Sequence, residues 1–266
     1  MRRKKNIPAG IYLAVVLLLM YLPIIVVAVY SFNANTSRLP IRFTGFSLHY
    51  YRQLLMDTKG LLESLKTSLL LALMSCGASM VIGTLGAVGM AKRRGKLSGA
   101  FETLAIAPIM IPEIIIGVAF LLLFSAAGVK LGMGTLVLGH VTFCTPYIYI
   151  VVKGRLAGMD ESLVAAARDL GASPMRAFFS VTLPQIVPGV LSGTMLAFAM
   201  SMDDFIISFF VTGSQVNPLP LKIYSSVKTG VSPQVNALCT LMLVVVFILA
   251  AAFMLGGKKK NGGKTE

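Results

Sequence analysis

The sequence predicts an all-α integral membrane protein, a bundle of six transmembrane helices. Three observations predict it. Of the 266 residues, 56% are hydrophobic and 13% charged, and the mean hydropathy is +0.82. A soluble domain of this length carries about a quarter charged residues. Six apolar stretches each approach the roughly 20 residues a helix needs to cross the hydrocarbon core. Finally, the Lys and Arg residues behind the net charge of +14 stand in short clusters beside those stretches. That is how membrane proteins place basic residues, and it argues against a nucleic-acid-binding face.

The stretches cover residues 9–32, 64–91, 100–124, 133–152, 183–212 and 233–255. The first follows Arg2, Arg3, Lys4 and Lys5. Its apolar core is too long for a signal peptide and no small-residue cleavage site follows, so a retained first span is expected. The loop at 33–63 holds Phe43, Phe46, Tyr50, Tyr51, Leu54 and Leu55, which suit a helix lying in the interface with aromatics at headgroup level. In the second stretch Ser75, Ser79, Gly83 and Ala87 recur every four residues, a small face that lets helices approach closely in lipid. The third contains Pro108 and Pro112, which kink a helix and free carbonyls just before Glu113. The transmembrane domain thus covers residues 9–257, between a basic N-terminus at 1–8 and a basic tail at 258–266.

Orientation follows from the basic residues. With both ends inside, sixteen of the 24 Lys and Arg residues are cytoplasmic. The tight clusters Arg2–Lys5, Lys92–Lys96 and Lys258–Lys260 then fall on one side, with Lys153, Arg155, Arg168, Arg176 and Lys264. Arg38, Arg42, Arg52, Lys59, Lys66, Lys130, Lys222 and Lys228 fall on the other.

The cytoplasmic loop at 154–183 reads as a helix–turn–helix. Asp160 caps a first short helix, Gly171 ends it in the left-handed conformation, and Ser173 followed by Pro174 starts a second. Leu163, Val164, Ala167 and Leu170 share one face of the first; Met175, Phe178, Phe179 and Thr182 share one face of the second. Apolar faces in cytosol require a cover, either the base of the bundle or a partner.

The run Ala166-Ala167-x-x-x-Gly171, then nine residues, then Val181-x-Leu183-Pro184 resembles the EAA loop of ABC importer permeases. The motif usually begins with Glu; here Ala165 holds that place, with Glu161 and Asp169 one turn to either side. The runs Ser201-Met-Asp-Asp204, Ser208-Phe-Phe-Val-Thr-Gly213, Leu219-Pro-Leu-Lys-Ile-Tyr-Ser225, Gly230-Val-Ser-Pro-Gln-Val-Asn-Ala237 and His140-Val-Thr-Phe-Cys-Thr-Pro146 are similar to the spermidine/putrescine importer permeases. They are most like the second, C-type, permease of that system. The resemblance implies a type I ABC importer permease, multi-pass in a bacterial inner membrane, with both termini cytoplasmic. Its partners would be a related permease, an ATP-binding subunit dimer and an extracytoplasmic polyamine-binding protein. It also implies that the loop, through Glu161, Ala165, Ala166, Ala167, Asp169, Gly171, Met175, Phe178 and Phe179, couples to the ATPase.

Polyamines are chains of ammonium groups, so a path for them needs carboxylates, supplemented by aromatic faces. Acids inside spans cost about 2.5–3.5 kcal/mol each, which makes them functional candidates. The deep ones are Glu113, Asp203 and Asp204; Glu102 sits near the start of its span. Ser201, Asp204, Ser208 and Thr212 form one stripe on a continuous helix, which favours Asp204 as the acid facing the path and Asp203 as a helix-pairing one. Tyr147 is a further path candidate. His49 and His140 are isolated in sequence and read as non-catalytic. Cys76, Cys144 and Cys239 lie inside apolar runs and form neither a disulfide framework nor a metal-ligand spacing.

The chain has no H-E-x-x-H, G-x-S-x-G or G-x-x-x-x-G-K-[ST] motif. It is therefore expected to bind no cofactor, with ATP and Mg2+ held by the partner ATPase. Two other readings remain open: an importer permease for another solute, such as an amino acid or metal chelate, and a self-contained channel or secondary transporter. The second would need no docking loop and usually shows internal repeats.

Overall fold

A computed structural model describes residues 7–35, 42–57, 60–91, 96–228 and 233–261 and is built from helices. Arg2, Arg3, Lys4, Lys5, Arg38, Lys59, Lys92, Arg93, Arg94, Gly230, Val231, Ser232 and Lys264 lie outside the described residues, as do the side chains of Lys96, Lys258, Lys259 and Lys260. The chain divides into two compact units, residues 1–63 with 223–266, and residues 64–222.

In the first unit, α1 (Ile7–Tyr30) and the short α2 (His49–Leu55) both pack on a long C-terminal helix, Pro233–Asn261. The apolar window of α1 is unburied throughout, which only lipid or another apolar partner tolerates. The predicted interfacial helix forms as α2, but it is partly a packed element: Tyr50 and Leu54 are buried while Phe46 and Leu55 are exposed. Asn33 fixes the approach to it. Its Nδ2 donates to Arg42 O at 2.9 Å, and its Oδ1 accepts from Thr44 N at 3.0 Å.

The second unit contains most of α3 (Leu61–Ala91), then α4 (Lys96–Met110), α5 (Glu113–Ala126) and α6 (Met133–Ala157). Two short helices follow, α7 (Glu161–Asp169) and α8 (Pro174–Ala177). A π-helical turn at Phe178–Thr182 joins α8 to α9 (Leu183–Asp203), and α10 (Ile206–Val211) and α11 (Leu219–Lys228) complete the run before the C-terminal helix, α12. The small face predicted on α3 is buried, and Gly83 lies against α6: a Cβ there would meet Thr145 O at 3.0 Å. A second small face was not read from the sequence. Gly189, Gly193, Ala197 and Ser201 recur every four residues along α9, all buried. A Cβ on Gly193 would stand 3.1 Å from Ile148 Cα of α6, so this face sets how closely the two helices cross.

Two of the predicted spans are corrected. The third is two helices, α4 and α5, bent by 102°. Pro112 lacks an N–H and disfavours helical backbone at Ile111, and its own backbone is extended (φ −53°, ψ 131°). The fifth runs over Pro174–Asp203 and stops before Asp204, instead of continuing to residue 212. Among the described residues, five helices are long and apolar enough to cross a membrane, or six if the bent pair counts as one span.

The close approach of the loop ends in this unit gives a stability prediction. A Cβ on Gly213 would stand 2.1 Å from Leu131 O, a backbone atom that cannot rotate away. Gly213→Ala is expected to cost about 3 kcal/mol and to lower the melting temperature of the detergent-solubilised protein. Gly89→Ala, with nothing within 4 Å, should leave that temperature unchanged.

Candidate functional site

The break after Asp203 gathers the polar groups of this membrane segment. Asp204 has extended backbone (φ −63°, ψ 119°), and its carboxylate accepts from Ile207 N at 3.2 Å and Ser208 N at 2.8 Å. It therefore satisfies two N–H groups at the start of α10 that a continuous helix would have paired with carbonyls. The same carboxylate lies 3.3 Å from His140 Nε2 of α6. Nε2 is also 3.0 Å from Ser208 Oγ, and Nδ1 is 2.8 Å from Ser201 Oγ. His140, Ser201, Asp204 and Ser208 are all buried, so four groups that would be costly alone in an apolar interior satisfy one another.

This corrects two expectations. Asp204 does not face a path on a continuous polar stripe; it turns inward, and Thr212 instead donates to Val216 O at 2.7 Å. Asp203 is the exposed acid. Nor is His140 isolated: residues 61 and 68 positions away close on its ring. The available signal was an imidazole in the middle of an apolar span, which needs partners.

Glu113 is exposed in the first turn of α5, directly after the bend. It lies within electrostatic reach of Asp203 and Asp204, and its charge reaches Tyr147, which is half-buried on α6. The structure thus brings the four predicted path residues together, with Glu113 and Asp203 the exposed carboxylates. α10 is seated firmly beside them. Thr135 Oγ donates to Val211 O at 2.8 Å, and Gly117 and Gly139 receive Phe210 and Ile207 where a Cβ would come within 2.7 and 2.9 Å. Glu102 pairs with Lys153, tying α4 to α6 away from this cluster.

The loop between α6 and α9 forms the two predicted short helices. Asp160 Oδ1 accepts from Ser162 N at 2.9 Å, and hydrogen bonds from the Ser162 hydroxyl and N–H hold the Asp160 carboxyl below the usual carboxylate range. Gly171 adopts φ +86°, and Ala172 N reaches back to Ala167 O at 3.0 Å. Ser173 Oγ accepts from Arg176 N at 3.3 Å. The second helix does not stop at the loop but runs on through the π-helical turn into α9.

The two predicted faces of the loop divide between an inner and an outer side. Val164, Ala165, Phe178 and Thr182 line a cavity of about 790 Å³ with Val88, Lys153 and Leu156, and Glu161 and Arg168 border it. Leu163, Leu170, Met175 and Phe179 are exposed, Leu170 by 90%. Ala166 and Asp169 are also exposed and Ala167 is half-buried. These four apolar side chains have no cover within this chain.

The chain is similar to transport proteins along most of its length. It is 39% identical over 236 residues to the spermidine/putrescine transport system permease protein PotC of Escherichia coli (strain K12), covering 89% of this chain and 88% of the relative. It is also 39% identical over 234 residues to the putrescine transport system permease protein PotI of the same organism, covering 85% and 82%. Among solved structures, a bacterial ABC transporter involved in the import of the acidic polysaccharide alginate matches with a TM-score of 0.69 at 15% identity, covering 97% of this chain and 98% of that one. The inward-facing MetNI methionine ABC transporter matches with a TM-score of 0.59 at 21% identity, covering 77% and 96%. Residues 79–256, more than half of the chain, match the family described as binding-protein-dependent transport system inner membrane component. The chain belongs to that family of membrane permeases.

Proposed function

We propose that the chain is one permease subunit of an ATP-driven importer of polyamines such as spermidine and putrescine. The observation that carries this reading is the pair of exposed carboxylates, Glu113 and Asp203, close enough to interact within a membrane segment, with Tyr147 near Glu113. A carboxylate facing lipid is costly, so these two face water, a cation or a partner. A cation path lined by fixed negative charge suits ammonium groups; an anion path would present Arg or helix N-termini instead. The 39% identity to permeases named for spermidine and putrescine supports the same substrate class.

In this reading the chain crosses the membrane six times with the bent α4–α5 pair as one span, both termini cytoplasmic. The exposed face of Leu163, Leu170, Met175 and Phe179, with Asp169 beside it, docks on an ATP-binding subunit, which holds ATP and Mg2+. Asp169 supplies the charge that Ala165 does not, while Glu161 sits at the cavity. A second permease completes the path and an extracytoplasmic protein delivers the substrate. The complex purified from membranes should hydrolyse ATP faster when supplied with polyamine-loaded binding protein. Equal stimulation by amino acids would replace the polyamine reading with that of a permease for another solute.

A further inference from the structure

We propose that His140 is a positioning residue of the substrate path: it fastens the break between α9 and α10, and so presents Asp203, and not Asp204, to the cation. The inference rests on the path reading above, but its geometry stands without it.

Asp203 and Asp204 are adjacent, and on one continuous helix their directions would differ by about 100°. Which of them reaches the path depends on where the helix ends. Three bonds to one imidazole fix that end. Ser201 Oγ, on the last turn of α9, meets Nδ1 at 2.8 Å. Asp204 Oδ2, in the break, and Ser208 Oγ, in α10, meet Nε2 at 3.3 and 3.0 Å. A carboxylate only accepts, so Nε2 directs a ring proton toward Asp204, while Nδ1 and the Ser201 hydroxyl share a hydrogen bond. One ring therefore clasps the segment before the break, the break itself and the segment after it. It does so from α6, whose backbone is fixed against α9 by the close approach at Gly193. Asp204 is thereby held inside, while Asp203 stays exposed. Packing alone does not account for this arrangement. Phe143 lies 5.2 Å from the His140 ring centroid and would be served by any aromatic side chain, whereas the three polar contacts would not.

The test uses the whole importer in membranes. Asp203→Cys reports exposure at position 203 to a water-soluble cationic thiol reagent, with the unsubstituted chain as background for the native cysteines. His140→Phe keeps the ring and the Phe143 contact and removes the hydrogen bonds. It should slow labelling at 203 roughly tenfold. With Asp203 intact, it should raise the apparent KM for polyamine about tenfold while Vmax per assembled complex stays within about twofold. His140→Asn, which keeps a donor and an acceptor, should restore much of both. Ser201→Ala removes only the Nδ1 partner and should slow labelling about threefold, which keeps the test decisive if His140→Phe does not assemble. Parental labelling rates in His140→Phe, or in Ser201→Ala where His140→Phe is not assembled, overturn the proposal. Slowed labelling together with normal polyamine uptake by Asp203→Asn would leave the clasp standing and overturn the path reading instead.

Discussion

Gly171→Val is expected to release the ATP-binding subunit while the chain still inserts in the membrane. Gly171 holds φ +86°, a conformation that costs a β-branched residue about 1–2 kcal/mol. Apart from its two chain neighbours, no residue comes within 4 Å of where its Cβ would be, so the loop can relieve this strain by moving rather than by clashing. Moving unmakes the Gly171 N–Arg168 O and Ala172 N–Ala167 O bonds that end α7, and shifts Leu170 relative to Met175 and Phe179. The apolar face is then no longer one surface. Phe179→Asp leaves the turn intact and puts a charge into that face instead, with an expected cost to docking of about 2–4 kcal/mol, as at an interface hot spot. Both variants should lose ATP-binding subunit on affinity purification and lose uptake in proportion. Normal co-purification in both would assign the face to some other contact.

Asp203→Asn is expected to have the largest effect on transport in an assembled complex. It keeps size and hydrogen bonding but removes a charge that a desolvated ammonium group needs. Once the bound ammonium group has desolvated the pair, removing one of its charges costs about 2–5 kcal/mol, and the lower figure is already about thirtyfold in rate or affinity. Glu113→Gln, next to the bend, should act in the same direction. Asp204→Asn should behave differently. One of its oxygens still accepts at the start of α10, but the acceptor for His140 is weakened, so the amount of assembled complex should fall more than the uptake of each complex.

The apolar tracts, the small face of α3 and the loop caps were legible because each is a local pattern with one physical meaning. Ser75, Ser79, Gly83 and Ala87 repeat at the helical period, and Asp160, Gly171, Ser173 and Pro174 each occupy the position their backbone preference suits. The bend at Pro112 was legible as a kink but not as a 102° turn, because its size depends on what α5 packs against, chiefly α10. The break at Asp204 was hidden. Hydropathy runs on through Phe205 and Ile206, and an aspartate in such a run reads as a polar point on a helix. Only the joint capture of its carboxylate by Ile207 N, Ser208 N and His140 ends the helix there. That capture depends on a partner 64 positions away, beyond the reach of any periodic pattern.

The part that Glu113 and Asp203 play in a cation path is measured by uptake of radiolabelled spermidine and putrescine in cells expressing the parent or Glu113→Gln/Asp203→Asn, normalised to assembled complex. The parent should show saturable, ATP-dependent uptake. The double variant should lose about a hundredfold, with the ATP-binding subunit still bound. Parental uptake by the double variant would show that the two carboxylates do not line the path.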